Sequence, residues 1–160
     1  MARRTNSREP GDTWAAALRL LTRRDYGTDE LRRRLLDKGF PDDAVDAAIA
    51  RGIALGYLDD ARYVERLTHA LVTTGRAAGP RLLLELRRRR LPEELIHTAM
   101  MENRAEGTEA AALRGLIGRR FPALDFAAAN ERERRRVVAF LQRRGFALDQ
   151  ILTELKRTDS

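Results

Sequence analysis

The sequence predicts an all-α protein built as a tandem array of three three-helix modules, which would form an elongated, curved right-handed-type solenoid. Two observations lead to this fold class. Aromatic residues make up only 6% of the 160 positions, and the chain is rich in Ala, Leu, Arg and Glu, which favours helices over strands. In addition, one pattern of apolar residues and turns recurs three times, as is typical of helical repeat proteins.

The first module is predicted at residues 13–56, after a flexible polar tail at residues 1–12. Apolar residues recur at helical spacing from Trp14 onward, and the dipeptide Tyr26-Gly27 interrupts them. We therefore expect the first helix at residues 13–24.

The second and third helices of this module are marked by their ends. Thr28 is a suitable N-cap for the second helix, and Gly39 is a suitable residue just after its C-terminus. Acidic residues after Pro41 suit the positive end of a third helix, which we expect to stop at Gly56. The side chains predicted to face the core are Leu31, Leu35, Leu36, Val45, Ala48, Ile49 and Ile53.

The same pattern recurs in a second module, predicted at residues 57–104, and a third, predicted at residues 105–160. Aligning their central apolar turn residues brings five apolar columns into register without a gap, at offsets of 51 and 55 residues. Each copy begins with one helix, which we expect at residues 59–74 in the second module and at residues 108–120 in the third. A second helix, a short turn and a third helix follow it. The columns are Leu31, Leu82 and Val137; Leu35, Leu86 and Leu141; Phe40, Leu91 and Phe146; Val45, Ile96 and Ile151; and Ile49, Met100 and Leu155.

The net charge is +7, and only Lys38 and Lys156 among the 31 basic residues are lysines. Residues 1–80 carry 14 basic and 12 acidic side chains, whereas residues 81–160 carry 17 and 12. Such an excess attracts nucleic-acid phosphates or an acidic protein groove.

No combination of residues indicates catalysis. His69 and His97 are 28 positions apart and lack the spacing of metal ligands, and the two serines, Ser7 and Ser160, lie in the tails. The chain has no cysteine, and the glycine-containing stretch at residues 75–80 lacks the Lys-Ser/Thr of a phosphate-binding loop. The tandem acidic residues open helices, where capping accounts for them. We therefore predict that the protein is not an enzyme and has no catalytic residue, metal or cofactor.

The chain has no sequence feature of a membrane protein. No apolar run approaches the roughly 20 residues that span a bilayer, and the N-terminal stretch lacks the apolar core of a signal peptide. We expect a cytoplasmic monomer with no membrane partner.

Arginines recur on the second helix of every module, most densely in RLLLELRRRRLP at residues 81–92. Positive charge suits the C-terminal end of a helix, which accounts for one or two of these arginines but not for four. We expect Arg88 and Arg89 to project outward and the arginines together to form a discontinuous basic stripe. The predicted contact set is Arg32, Arg33, Arg88, Arg89, Arg134, Arg135, Arg143 and Arg144.

The order of short motifs resembles that of the RecX family, the regulatory proteins of the bacterial recombinase RecA. The motifs lie at Thr28 to Leu31, at Lys38-Gly39-Phe40, at Gly56 to Tyr63 and at Gly79 to Leu86. The resemblance covers about residues 14–102 and is weaker in the third module. Arg90-Leu91 replaces the Lys-Gly-Ile common in the family's second module, a change that we interpret as conservative in charge and in the apolar turn residue.

The resemblance implies a role in DNA repair, homologous recombination and the SOS response. RecX-like proteins are curved chains of three-helix modules that bind RecA, lodge in the groove of its filament on single-stranded DNA, and inhibit its recombinase, ATPase and coprotease activities. Contact with the DNA would be electrostatic and independent of sequence. Two alternatives stay open from the residues alone: a general sequence-nonspecific nucleic-acid-binding helical protein, and a helical protein-interaction scaffold.

Overall fold

A computed structural model describes residues 10–158, with side chains described for residues 12–157. Within that range the chain forms nine α-helices and no strand, which confirms the all-α class. The first nine positions of the tail predicted at residues 1–12, which include Ser7, lie outside the described residues, and so does Ser160. The helices are α1 (Pro10–Leu21), α2 (Thr28–Asp37), α3 (Asp42–Ala54), α4 (Asp60–Thr73), α5 (Gly79–Arg88), α6 (Glu93–Ala105), α7 (Thr108–Arg120), α8 (Glu131–Arg143) and α9 (Leu148–Thr158).

The first helix begins three residues earlier than predicted. Pro10 is its first residue, a position where proline is favoured because its fixed φ suits the helix and its missing N–H is not needed there. The helix ends at Leu21 rather than at residue 24. The described helix thus includes the last three positions of the predicted tail, whose flexibility stays a prediction.

The chain divides into two compact units. The first unit extends to Tyr63 and also includes Arg89–Pro92, and the second unit comprises Val64–Arg88 and the chain from Glu93 onward. The division into three modules at residues 13–56, 57–104 and 105–160 stays a prediction.

The core of the first unit lies between α1, α2 and α3. Leu31, Leu35 and Val45 are fully buried there, and Phe40 closes the turn between α2 and α3. The prediction that Ile53 faces the core is wrong, because this side chain is 52% exposed.

A second core lies in the second unit, between α7, α8 and α9. Its fully buried side chains include Leu113, Leu141, Ile151 and Leu155. Phe146 occupies the turn between α8 and α9 in the same way as Phe40 does between α2 and α3. Across both units the five predicted apolar columns are buried at every position except Met100, which is half-buried.

The turn after the second helix of each predicted module contains one residue in the left-handed region. Gly39 has φ 83° and Gly145 has φ 98°, and the equivalent residue in the middle copy is Arg90, with φ 55°. Glycine adopts this region at no steric cost, whereas other residues are strained in it. The backbone at Arg90 is therefore strained, a cost that the sequence interpretation did not address, since it concerned only the charge and the apolar turn residue.

The N-termini of α2 and α5 are capped by distant carboxylates. Gly27, not Thr28, is the N-cap residue of α2, and the Thr28 N–H donates to Asp60 Oδ1 at 2.8 Å. In the second unit the Gly79 N–H donates to Glu109 Oε1 at 3.2 Å. Asp60 and Glu109 each lie in the first turn of the next helix but one, α4 and α7. One capping arrangement is thus built twice, once in each unit.

Candidate functional site

The motif GYLDDARY, residues 56–63, positions the start of α4. Asp59 accepts the Arg62 N–H at 2.9 Å and so caps its own helix, while Asp60 caps α2. Tyr63 is buried, and burial raises the pKa of its phenol although the nearby charge of Arg89 acts in the opposite direction. The prediction that capping accounts for the tandem acidic residues is confirmed for Asp59 and Asp60, and Tyr63 belongs to the buried core.

On α2 the two predicted contact residues differ in their surroundings. Arg32 is half-buried and forms an ion pair with Asp46 of α3. Arg33 is exposed and has no ion-pair partner within residues 12–157. Arg33 therefore has no carboxylate within ion-pair distance among residues 12–157, whereas Arg32 already has one, that of Asp46.

At the end of α5 the exposed arginines share a few carboxylates. Arg87 binds Glu93 with two hydrogen bonds, of 2.7 and 3.0 Å. This pairing raises the pKa of Arg87 and lowers the pKa of Glu93. Arg88 is 3.3 Å from Glu85, whose carboxylate also binds Arg81 at 3.0 Å. One carboxylate thus serves two guanidinium groups, and positive charge remains.

Arg89 lies in the turn after α5 and is half-buried, so the prediction that it projects outward is only partly correct. Another arginine of the first unit, which the sequence did not single out, is fixed more firmly. Arg24 lies 3.7 Å above the Tyr26 ring and binds both carboxylate oxygens of Glu30, at 2.6 and 3.2 Å. The hydrogen bond to Glu30 raises the pKa of Arg24, and this cluster is structural.

On α8 the first two predicted contact residues are held by local partners. Arg134 donates from Nε to the Phe126 carbonyl at 2.9 Å and from its terminal nitrogen to the Ala127 carbonyl, so it ties α8 to the preceding loop. Arg135 pairs with Glu131 one turn earlier. Both side chains are exposed, but their charged groups are engaged.

The last two predicted residues, at the end of α8, have more freedom to meet a partner. Arg143 is exposed and has no ion pair in the part of the chain that the structure describes. Arg144 lies 5.0 Å from the Phe140 ring, and its carbonyl accepts the Ala78 N–H at 2.8 Å. This backbone contact places the end of α8 beside the start of α5.

The repeat alignment separates the eight arginines into two groups. Arg88 and Arg89 are equivalent to Arg143 and Arg144 at the offset of 55 residues, so a basic end of the second helix is a recurrent feature. The other four arginines occupy positions that carry different residue types in the other copies. Their membership in one basic stripe stays a prediction.

Two further features would bear on function among the residues that the structure describes, a cluster of metal ligands and a helix that could span a membrane. No group of three or more histidine or acidic side chains there could hold a metal ion. None of the described helices combines the length and the apolar character that crossing a bilayer requires.

Comparison with known proteins gives a consistent result. The sequence profile of a family domain described as "RecX, first three-helix domain" matches residues 14–51. "Regulatory protein RecX" of Trichlorobacter lovleyi is 48% identical over 92% of this chain and 96% of the relative. The protein of the same name from Syntrophotalea carbinolica is 41% identical over 85% of this chain and 89% of the relative.

The fold is also similar to that of a solved structure. The crystal structure of RecX from Lactobacillus salivarius matches 94% of this chain and 96% of that chain with a TM-score of 0.71. The two sequences are 17% identical, so this likeness is one of fold.

Proposed function

This chain belongs to the RecX family of regulatory proteins, and from that premise we propose that it binds the RecA recombinase and its filament on single-stranded DNA and limits the filament's activity. It would lodge in the filament groove and reduce ATP hydrolysis, strand exchange and coprotease activity. The observation that carries this proposal is the relationship to regulatory proteins over nearly the whole length of both chains.

The arrangement of charge supports such a role. Arg33, Arg89, Arg143 and Arg144 have no carboxylate within ion-pair distance among the described residues. They are therefore available to pair with acidic groups of the filament or with DNA phosphates, and such pairing is independent of base sequence. Several separated contacts would add their effects because the second contact is made at high effective concentration.

The proposed mechanism is mechanical and requires no chemical step by this chain. A helical protein wedged between neighbouring recombinase subunits would oppose the movements that accompany ATP turnover and would obstruct duplex entry. The role requires no catalytic group, metal or cofactor, and we propose that the protein acts as a cytoplasmic monomer.

A RecA ATPase assay on single-stranded DNA tests the proposal. The purified chain should lower the rate of ATP hydrolysis and should sediment with the filament. Unchanged hydrolysis together with no co-sedimentation would contradict the proposal. Binding to DNA alone, measured over a salt series, then separates the general nucleic-acid-binding alternative from the protein-interaction scaffold.

The arginines at the end of α5 make a quantitative prediction for DNA binding. Changing Arg88 and Arg89 together to Ala should lower the slope of log affinity against log salt concentration by at most about 2, because each phosphate contact releases about one counterion. Arg87→Ala is the matched control, since Glu93 already compensates the charge of Arg87. An unchanged slope in the double variant would remove this pair from the interface.

A further inference from the structure

Three large apolar side chains at the C-terminal end of α3 are exposed to solvent. Ile53 is 52% exposed, and Leu55 and Tyr57 are each 56% exposed. We call these three residues the apolar patch. The Trp14 ring lies behind it, with its centroid 6.2 Å from that of Tyr57, and the Arg51 guanidinium lies 4.7 Å above the Trp14 ring.

The fold does not require apolar residues at this place. The helices α3 and α6 both have 13 residues, and each is followed at the same distance by a left-handed glycine, Gly56 with φ 75° or Gly107 with φ 65°. At the positions equivalent to the first two patch residues, the second unit carries Arg104 and Glu106, both exposed. The same backbone arrangement therefore accommodates charged residues at these two positions. The apolar side chains of the first unit are explained better by a contact with another molecule than by the needs of the fold.

The patch is held in place by its backbone. The N–H groups of Tyr57 and Leu58 both donate to the Gly52 carbonyl, at 2.8 and 3.1 Å. The Arg62 guanidinium donates to the Gly56 carbonyl at 2.7 Å and so fixes the same turn from the side of α4. A partner would therefore meet a preformed surface, and little conformational entropy would be lost on binding.

We propose that the apolar patch is the docking site for the partner protein and receives an apolar side chain flanked by a carboxylate. Tyrosine, tryptophan and arginine are the side chains that contribute most to protein interfaces, and all three are present at or behind the patch. Arg51 and Arg62 border it and favour an acidic group beside the apolar side chain. Two of the three patch residues, Ile53 and Leu55, are aliphatic, so Tyr57 gives a base the one ring of the patch to stack on, and exposed Asp59 repels phosphates; a protein therefore fits better than single-stranded DNA.

This inference rests on the proposed function, in which the partner is the recombinase filament. The test measures the affinity of the full chain for RecA filaments formed on poly(dT), over a salt series. The variants are Tyr57→Ala and the double change Ile53→Arg with Leu55→Glu, which introduces the residues that α6 and its following turn already accommodate. Each should bind at least tenfold more weakly at every salt concentration, with the salt slope of Tyr57→Ala unchanged.

The control is Leu84→Ala in the second unit, which truncates a leucine that is 45% exposed. It should bind within twofold of the wild type, and all variants should melt close to the wild type because the changed side chains are exposed. Equal weakening by Leu84→Ala, or no weakening by the patch variants while the wild type binds, would overturn the inference. So would Tyr57→Ala weakening the binding of poly(dT) alone by the same factor, since that would indicate a base-stacking platform. A wild-type chain that does not bind the filament would overturn the proposed function and this inference with it.

Discussion

Replacing Arg90 with glycine is expected to stabilise the protein. Arg90 is the one non-glycine residue with positive φ in the described part of the chain, and its counterparts in the other two turns are Gly39 and Gly145. The left-handed conformation costs a non-glycine residue about 1–2 kcal/mol. The greater freedom of glycine in the unfolded chain offsets about 0.5–1 kcal/mol of the gain. From the midpoints of these two ranges, the net stabilisation should be about 0.75 kcal/mol.

No hydrogen bond or ion pair of the Arg90 side chain within the described residues opposes this change. Arg90 is exposed, and its guanidinium has no hydrogen bond or ion pair within residues 12–157. Leu91, the buried turn residue that follows, is unchanged. The substitution should therefore release backbone strain without opening a cavity.

Urea and thermal unfolding measure the effect. The urea midpoint should rise without a change in slope, and the melting temperature should rise by about 1–4 °C for a chain of this size. Arg89→Gly is the matched control, because Arg89 lies in the same turn without a positive φ, and it should destabilise by up to about 1 kcal/mol. A lower midpoint for Arg90→Gly, or equal shifts for both variants, would refute the strain argument.

Three further predictions concern the same turns and caps. Gly145→Ala should lower the free energy of unfolding by more than the roughly 1–2 kcal/mol of backbone strain alone, because the added Cβ would overlap the Ala78 carbonyl. Gly39→Ala should cost only that strain, because the space around its Cβ is open. Equal losses of stability in chemical unfolding would contradict this account. Asp60→Ala should cost about 1 kcal/mol by removing the acceptor at the α2 N-terminus, and Asp60→Asn should restore most of it; a wild-type unfolding midpoint for Asp60→Ala would exclude the cap as a stabilising contact. Burial raises the pKa of Tyr63 above its usual value of 10, so the stability that the neutral phenol contributes is complete below pH 10 and is lost as pH rises through the folded-state pKa. The Tyr63→Phe variant, which cannot ionise there, should therefore lose less stability than the wild type between pH 9 and 11. Identical pH profiles of the two proteins would contradict the shift.

The helices could be predicted from the sequence because their signals are local. Apolar residues at helical spacing specify which face is buried, and the five columns hold in the structure except at half-buried Met100. The cap of α2 could not be predicted in the same way. Its acceptor, Asp60, is 32 residues from Thr28 along the chain, so only the folded arrangement brings the two together.

The ion pairs of the candidate site differ in the same way, because some join residues of one helix and others join residues of two helices. The pairing of Arg135 with Glu131 follows from their spacing of four on one helix and could have been read from the sequence. The pairing of Arg32 with Asp46 joins two helices and depends on how they pack. Counting arginines therefore overestimates the charge that is free to meet a partner, because it ignores carboxylates supplied by other elements.

The exposed position of Ile53 shows a related limit of periodicity. Its spacing of four from Ile49 places it on the apolar face of α3, but the helix ends one residue later, at Ala54. The core therefore extends beneath Ile49 but not beneath Ile53, which is left at the surface. Apolar periodicity reports the face of a helix and not how far along that face the core extends.

The arginines without a carboxylate partner among the described residues and the apolar patch would contribute to binding in physically different ways. Charge acts over about 10 Å at 0.1 M salt, so Arg33 and Arg143 would mainly accelerate the encounter with an acidic partner. Burial of Leu55 and Tyr57 acts only on contact, so it would mainly slow dissociation, and added salt would not weaken it. A protein with both surfaces would find the filament quickly at low salt and remain bound at high salt. Association and dissociation rates measured over one salt series therefore resolve the two contributions, which a single equilibrium constant would combine.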